Sequence, residues 1–224
     1  MKVALPMTPE KKVICRRGTK YPEMIVNATK VSFSVMFCGN AVEETVPPYV
    51  IFRAEHLWST WTENGPHGTR YNRTKSGWID SITFEDWFES HLLPILKKKD
   101  GRKGIIGNNL SSHINKNVLE ACEANNISFI CLPANATHIL QPLDVAYFRP
   151  LKIKWRQVLL DWKNTPEGRR LPTVPKDQFH RLLKTAPDSM KETQSYLVNG
   201  FRKTGIYPQN VEEPLSRLPR QDRI

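Results

Sequence analysis

Cysteine is scarce in this 224-residue chain, and its four copies (Cys15, Cys38, Cys122, Cys131) form no Cys-x-x-Cys pair and have no histidine at finger-like spacing. That argues against a structural zinc site, and the thiols read as reduced, mostly buried groups of an intracellular protein. No apolar run approaches the ~18 residues that a membrane span needs, so no membrane is expected as a partner. Met1-Lys2-Val3-Ala4-Leu5-Pro6 lacks the continuous apolar centre of a secretory signal. The Asn-x-Ser/Thr triplets at Asn27, Asn72, Asn109, Asn126 and Asn135 therefore carry no weight as glycosylation sites. There is no phosphate-cradling glycine-rich loop and no Ser-His-Asp or Cys-His elbow, which leaves helicase, kinase and hydrolase readings without support. Internal repeats and low-complexity tracts are also lacking.

Acids are the minority charge: 22 Asp/Glu stand against 33 Lys/Arg, for a net charge of +11. The surplus is uneven. Residues 1–148 hold 17 Lys/Arg against 14 Asp/Glu, while residues 149–224 hold 16 against 8. A polyanion is the natural partner of such a surface, with the C-terminal third carrying most of the contact. A hydrophobic content of 39% and a mean hydropathy of -0.48 fit a polar globular chain with one full-sized domain and a tail.

Periodicity predicts an α/β order. Residues 1–30 offer one short apolar stretch, Val13-Ile14-Cys15. Val31 to Phe37 alternates like a strand, and Pro47-Pro48 reads as a turn before a second strand at Tyr49-Val50-Ile51-Phe52. Arg53 to Asp80 reads as a long loop or insertion. A helix follows from Ser81, with Thr83 as N-cap and Phe84, Trp87, Phe88 and Leu92 on one face. It ends in Lys97-Lys98-Lys99-Asp100-Gly101-Arg102, where cations suit the helix dipole. Gly104 to Gly107 reads as a buried strand, Ile114 to Ala124 as a helix with Val118, Leu119 and Cys122 inward, and Ile127 to Leu132 as another strand. This strand–helix–strand order implies a parallel pair with a right-handed crossover, and ligands gather beyond the carboxyl ends of such strands. Asn108 falls there.

From Phe148 a helix carries an apolar stripe, Phe148, Leu151, Trp155, Leu159 and Trp162, and a basic stripe, Arg149, Lys152, Arg156 and Lys163. The basic stripe is a candidate nucleic-acid face. A linker is expected after Trp162, then short helices at Phe179–Leu183 and Ser195–Phe201, with 211–224 frayed.

Two segments carry the chemistry: Gly107-Asn108-Asn109-Leu110-Ser111-Ser112-His113 and Leu132-Pro133-Ala134-Asn135-Ala136-Thr137-His138-Ile139-Leu140-Gln141-Pro142-Leu143-Asp144, with 35 residues between Asn108 and Asp144. They resemble the second and third acidic motifs of pogo/Tigger/Jerky-like transposases of the DDE superfamily. The likeness runs over roughly 12–163, with weaker agreement in Gly200 to Pro208. It implies a ribonuclease-H-like mixed sheet flanked by helices, with the central first strand missing and a helical C-terminal extension. The corresponding division is 1–163, 164–210 and a tail at 211–224.

The resemblance also implies divalent-metal chemistry with Mg or Mn, in which two ions stabilise the attacking and leaving oxygens. Asp144 corresponds to the retained third acid and catalytic metal ligand, at a helix start where the dipole favours ionisation. Asn108 replaces the second acid, and no motif ahead of residue 11 matches the first. An amide oxygen in place of a carboxylate forfeits about 4 kcal/mol per ion at ~4 Å and an effective dielectric of 20. That corresponds to about three orders of magnitude in metal affinity. Asp80, Glu85 and Asp86 read as helix-capping or solvated acids, while His113 and His138 have no assigned role. The expectation is a nuclear, transposase-derived DNA-binding domain of low sequence preference with nuclease activity lost. The alternatives are a metal-dependent endonuclease whose first acid comes from elsewhere, and a protein-interaction remnant.

Overall fold

The computed structural model describes residues 2–7, 17, 32–108, 115–191 and 195–218. Its centre is a strand pair in which small and apolar residues alternate. β2 (Ser32–Gly39) turns Phe33, Val35 and Phe37 to one face and Met36 to the other, and β3 (Thr45–Arg53) runs antiparallel beside it. Pro47 and Pro48 lie inside β3, not in a turn before it. The register passes from Met36↔Tyr49 to Cys38↔Val46, so two prolines sit opposite Phe37. A bulge is where a strand tolerates residues that cannot donate to the ladder.

Two further strands flank this pair. β1 (Lys2–Pro6) is antiparallel to β2, from Lys2↔Met36 to Pro6↔Ser32. β4 (Arg70–Thr74) is parallel to β3 and lies within the stretch expected to be a loop. Its sequence, Arg-Tyr-Asn-Arg-Thr, is polar because it closes an edge, and edge strands need no continuous apolar run. A second, two-stranded sheet joins β5 (Lys103–Gly107) in parallel to β6 (Ile127–Cys131), with α3 (Lys116–Ala124) as the crossover. Among the described residues no strand links the two sheets. The chain thus forms a mixed α/β architecture of ribonuclease-H-like type, with a helical C-terminal region.

Because β2 and β3 are buried on both faces, the molecule has two cores. On one face Phe33, Val35, Phe37, Val50 and Phe52 pack against α5 (Phe148–Asn164) and α7 (Lys176–Lys191). All five residues of the expected α5 stripe are buried. Phe179 of α7 stacks on Phe33 with centroids 4.1 Å apart. On the other face Met36, Tyr49 and Ile51 meet α1 (Ser81–Trp87), the π turn Phe88–Leu92 that leads to α2 (Leu93–Lys97), and Val118 and Cys122 of α3. Leu119, expected inward, is 43% exposed, because the helix buries only the Val118/Cys122 edge.

Local rules explain several boundaries. Asp80, not Thr83, is the N-cap of α1: its carboxylate accepts from Thr83 N at 2.9 Å, while Thr83 Oγ1 accepts from Asp80 N. The expected linker after Trp162 contains α6 (Pro166–Arg170), started by Thr165 as cap and Pro166 at the first position. The short α9 (Glu212–Leu215) lies in the segment expected to fray. Val13-Ile14-Cys15 lies outside the described residues.

Trp155 is fully buried, and its Nε1 donates to the carbonyl of Pro6 at 2.8 Å, pinning β1 beneath α5. Trp155→Ala should destabilise the protein by about 3–5 kcal/mol in urea denaturation. A loss below about 1 kcal/mol would show that this side chain does not hold the core together.

Candidate functional site

The site is built from the carboxyl end of β5, the loop after β6 and the start of α5. Asn108 follows β5, half-buried, and its Oδ1 is buried with no hydrogen-bond partner among the described residues. The amide of Leu132 donates to Gly107 O at 2.8 Å, fastening the head of the Pro-x-Asn-x-Thr-His loop to the strand that presents Asn108. The loop then forms α4 (Thr137–Leu140), buries Gln141 and enters a π turn, Leu143–Tyr147, which carries Asp144 and continues as α5. Ile106 and Leu143, just ahead of Asn108 and Asp144, line a single cleft.

Sequence reasoning missed what clamps this corner. α8 (Tyr196–Lys203) crosses the π turn through Gly200, where an added Cβ would come within 2.5 Å of Pro142 O. Only glycine permits that approach. The carboxylate of Glu43, in the β2–β3 hairpin, accepts from Leu197 N at 3.0 Å and Val198 N at 2.9 Å, satisfying donors at the helix start. The sequence separation of 154 between Glu43 and Leu197 hides this pairing from any local reading.

Asp144 departs from the expectation that a helix dipole would favour its charged form. Burial pushes its carboxyl above the ordinary range, with Lys152 and His138 pulling it partly back. Desolvation outweighs the dipole because the π turn sets the side chain half inside the protein. His138 itself is exposed, while its carbonyl accepts from Arg217 Nη2 at 3.1 Å. His113 lies outside the described residues.

The other candidate acids have structural partners. Asp86 accepts from Tyr49 Oη at 2.6 Å and from Arg70 Nη2 at 2.6 Å, while Glu85 accepts from Asn115 Nδ2 at 3.0 Å and Asn117 Nδ2 at 2.6 Å. Burial opposes ionisation of Asp86, but Arg70 and Tyr49 prevail and hold its carboxyl below the usual range.

A magnesium or manganese ion needs several hard oxygen donors with negative charge among them. Among the described residues no three His, Cys, Asp or Glu side chains gather into such a group. One half-buried carboxylate and one neutral amide oxygen do not make such a donor set, so no metal-dependent step follows from these residues.

The cation stripe behaves differently along its length. Arg149, Lys152 and Arg156 are exposed along one side of α5, flanking the buried stripe of Leu151, Trp155 and Leu159. Lys163 is half-buried, with Nζ donating to Leu171 O and lying 5.8 Å from the Trp162 ring centroid. Arg169 and Arg170 on α6 add two exposed cations that the linker reading overlooked.

The raised pKa of Asp144 has a defined sign. Its carboxyl ionises more readily in the unfolded chain, so its charge costs stability above the folded pKa and nothing below the ordinary value of 3.8. Asp144→Asn should raise Tm at pH 7.5, with the gain shrinking as pH falls toward 3.8. A Tm that drops at pH 7.5 would mean that the charge is stabilising.

The sequence pattern of the DDE superfamily endonuclease family matches residues 30–193. The pogo transposable elements with KRAB domain of Homo sapiens and Mus musculus are each 26% identical over 196 residues, covering 82% of this chain and 30% of those proteins. A Cochliobolus lunatus protein named MFS-type transporter clz9 is 26% identical over 185 residues, covering 80% of this chain and 19% of that protein. No described helix here is long and apolar enough to cross a membrane. The chain spans a third or less of the length of these relatives, and over that span it belongs to the DDE superfamily endonucleases.

Proposed function

We propose that this chain is a transposase-derived DNA-binding domain, acting in the nucleus, that has lost strand cleavage. The observation that carries the reading is the exposed row of Arg149, Lys152 and Arg156 on the helix that begins beside Asp144. Cations three and four residues apart on one helix face follow a phosphate backbone without reading bases, so binding tolerates any duplex sequence. The C-terminal surplus of Lys/Arg, 16 against 8 acids, extends that field beyond α5. Loss of cleavage follows from the donor set, because Asn108 brings no charge to the place of an acid. Mg or Mn is the family's usual cofactor class, and these two residues hold it poorly.

Duplex binding should weaken steeply with salt, and three phosphate contacts correspond to a slope of log affinity against log salt of about -2.7. Reversing two charges, Arg149→Glu with Lys152→Glu, should flatten the slope by about 2 and weaken binding equally across unrelated duplexes. Fluorescence anisotropy over a salt series measures both, and an unchanged slope would remove this face from the interface. Calorimetry with Mn²⁺ and a plasmid-nicking assay address the second half of the proposal. No tight binding and no nicking are expected, whereas Mn²⁺-dependent nicking would overturn the loss of cleavage.

A further inference from the structure

Two exposed tryptophans stand at one end of the four-stranded sheet. β3 and β4 run parallel, with Arg53 opposite Thr74, so the segments that leave them emerge side by side, one carrying Trp58 and the other Trp78. Trp58 is 61% exposed and Trp78 50%. A single apolar side chain at the surface needs no explanation, but two indoles beside a cluster of cations do.

Arg53 joins the two segments. Gly77, at φ 75°, lies so close that a Cβ there would fall 2.8 Å from Arg53 Cβ, which sets the turn leading to Trp78 against the arginine. From α7, Lys176 Nζ donates to Arg53 O at 2.9 Å and sits 4.5 Å from the Trp61 ring centroid. Trp61 packs on Phe52 of β3, and its amide donates to Trp58 O at 3.0 Å, which anchors the turn that presents Trp58.

The charge around these rings is one-sided. Arg53, Arg73 and Lys75 are exposed, Lys176 is half-buried, and Glu55 is the one acid in residues 53–61 and 73–78. Among the described residues none of these four cations forms an ion pair. Burial and the Arg53 guanidinium hold Lys176 below the ordinary lysine range, the behaviour of a cation beside a like charge. An anion placed here would relieve that repulsion.

The combination selects the partner. Cations attract phosphates, and an indole face stacks on any unpaired base. A duplex keeps its base faces in its own stack and gives the rings nothing to cover. An acidic peptide would match the cations and leave the indoles in water.

We propose that Arg53, Lys176, Trp58 and Trp78 form a binding surface for single-stranded DNA, separate from the duplex face of α5. The choice of DNA over RNA rests on the DNA-binding reading; the surface itself does not.

The test is fluorescence anisotropy with the full chain and a labelled oligo-dT of about twelve nucleotides, within the span of one such site. Its control is a backbone of equal length without bases. Saturable binding is expected, about tenfold weaker or more for the base-free backbone. Trp58→Ala should bind about tenfold more weakly at unchanged Tm, because the ring is exposed, and Trp58→Phe should recover most of the loss. Duplex binding should be unchanged in Trp58→Ala. Oligo-dT binding that persists in Arg149→Glu with Lys152→Glu, or where duplex binding fails altogether, supports a separate surface. Equal affinity of Trp58→Ala, no recovery in Trp58→Phe, or equal affinity for the base-free backbone would overturn the stacking surface. Tighter binding of the matching oligo-U would overturn the choice of DNA. Failure of acrylamide to quench the Trp58 emission, taken as the difference between the native chain and Trp58→Ala, would also overturn it, because another part of the chain would then cover the ring.

Discussion

Burial of the α5 stripe against β2 and β3 is the constraint from which the remaining geometry follows. Leu151, Trp155 and Leu159 are fully buried, and a helix has one orientation once a face is committed to a core. That orientation sends Arg149, Lys152 and Arg156 outward and sets Asp144, one turn upstream, at the protein boundary. Trp155 extends the same constraint to β1 through its bond to Pro6, and Phe179 brings α7 into the same core. The helical C-terminal region is consequently part of the packing that positions the site.

On the proposed reading, a binding surface outlasts a catalytic one. Metal-assisted cleavage depends on several charges converging at short range, so replacing one carboxylate by an amide removes about 4 kcal/mol of attraction at a stroke. Phosphate binding depends on cations spread over a face, each contributing modestly. Asn108 and the raised pKa of Asp144 weaken the first requirement. The exposed residues of α5 leave the second intact.

Much of this was legible in advance where one residue's neighbours along the chain set its environment. The alternation at Val31–Phe37, the stripe at Phe148–Trp162 and the crossover unit around α3 all follow from periods of two or about four, and the structure contains each of them. The family was recognisable because the motif spacing is carried by the chain itself. β4 and α6 escaped because a polar edge strand and a five-residue helix bury too little to leave a periodic trace. The roles of Pro47 and Pro48 escaped because a bulge is a property of two strands.

By itself the sequence determined the family, most of the order of helices and strands, and the charge asymmetry, since each is written in residue types and spacings. Tertiary structure alone decided that Gly200 must be glycine, that Glu43 caps a helix 154 residues away, and that Lys163 turns to Leu171. It also decided the ionisation of Asp144 and the cleft between the sheets. These depend on distances between remote segments and on how much water each group keeps, which packing sets and no local pattern encodes.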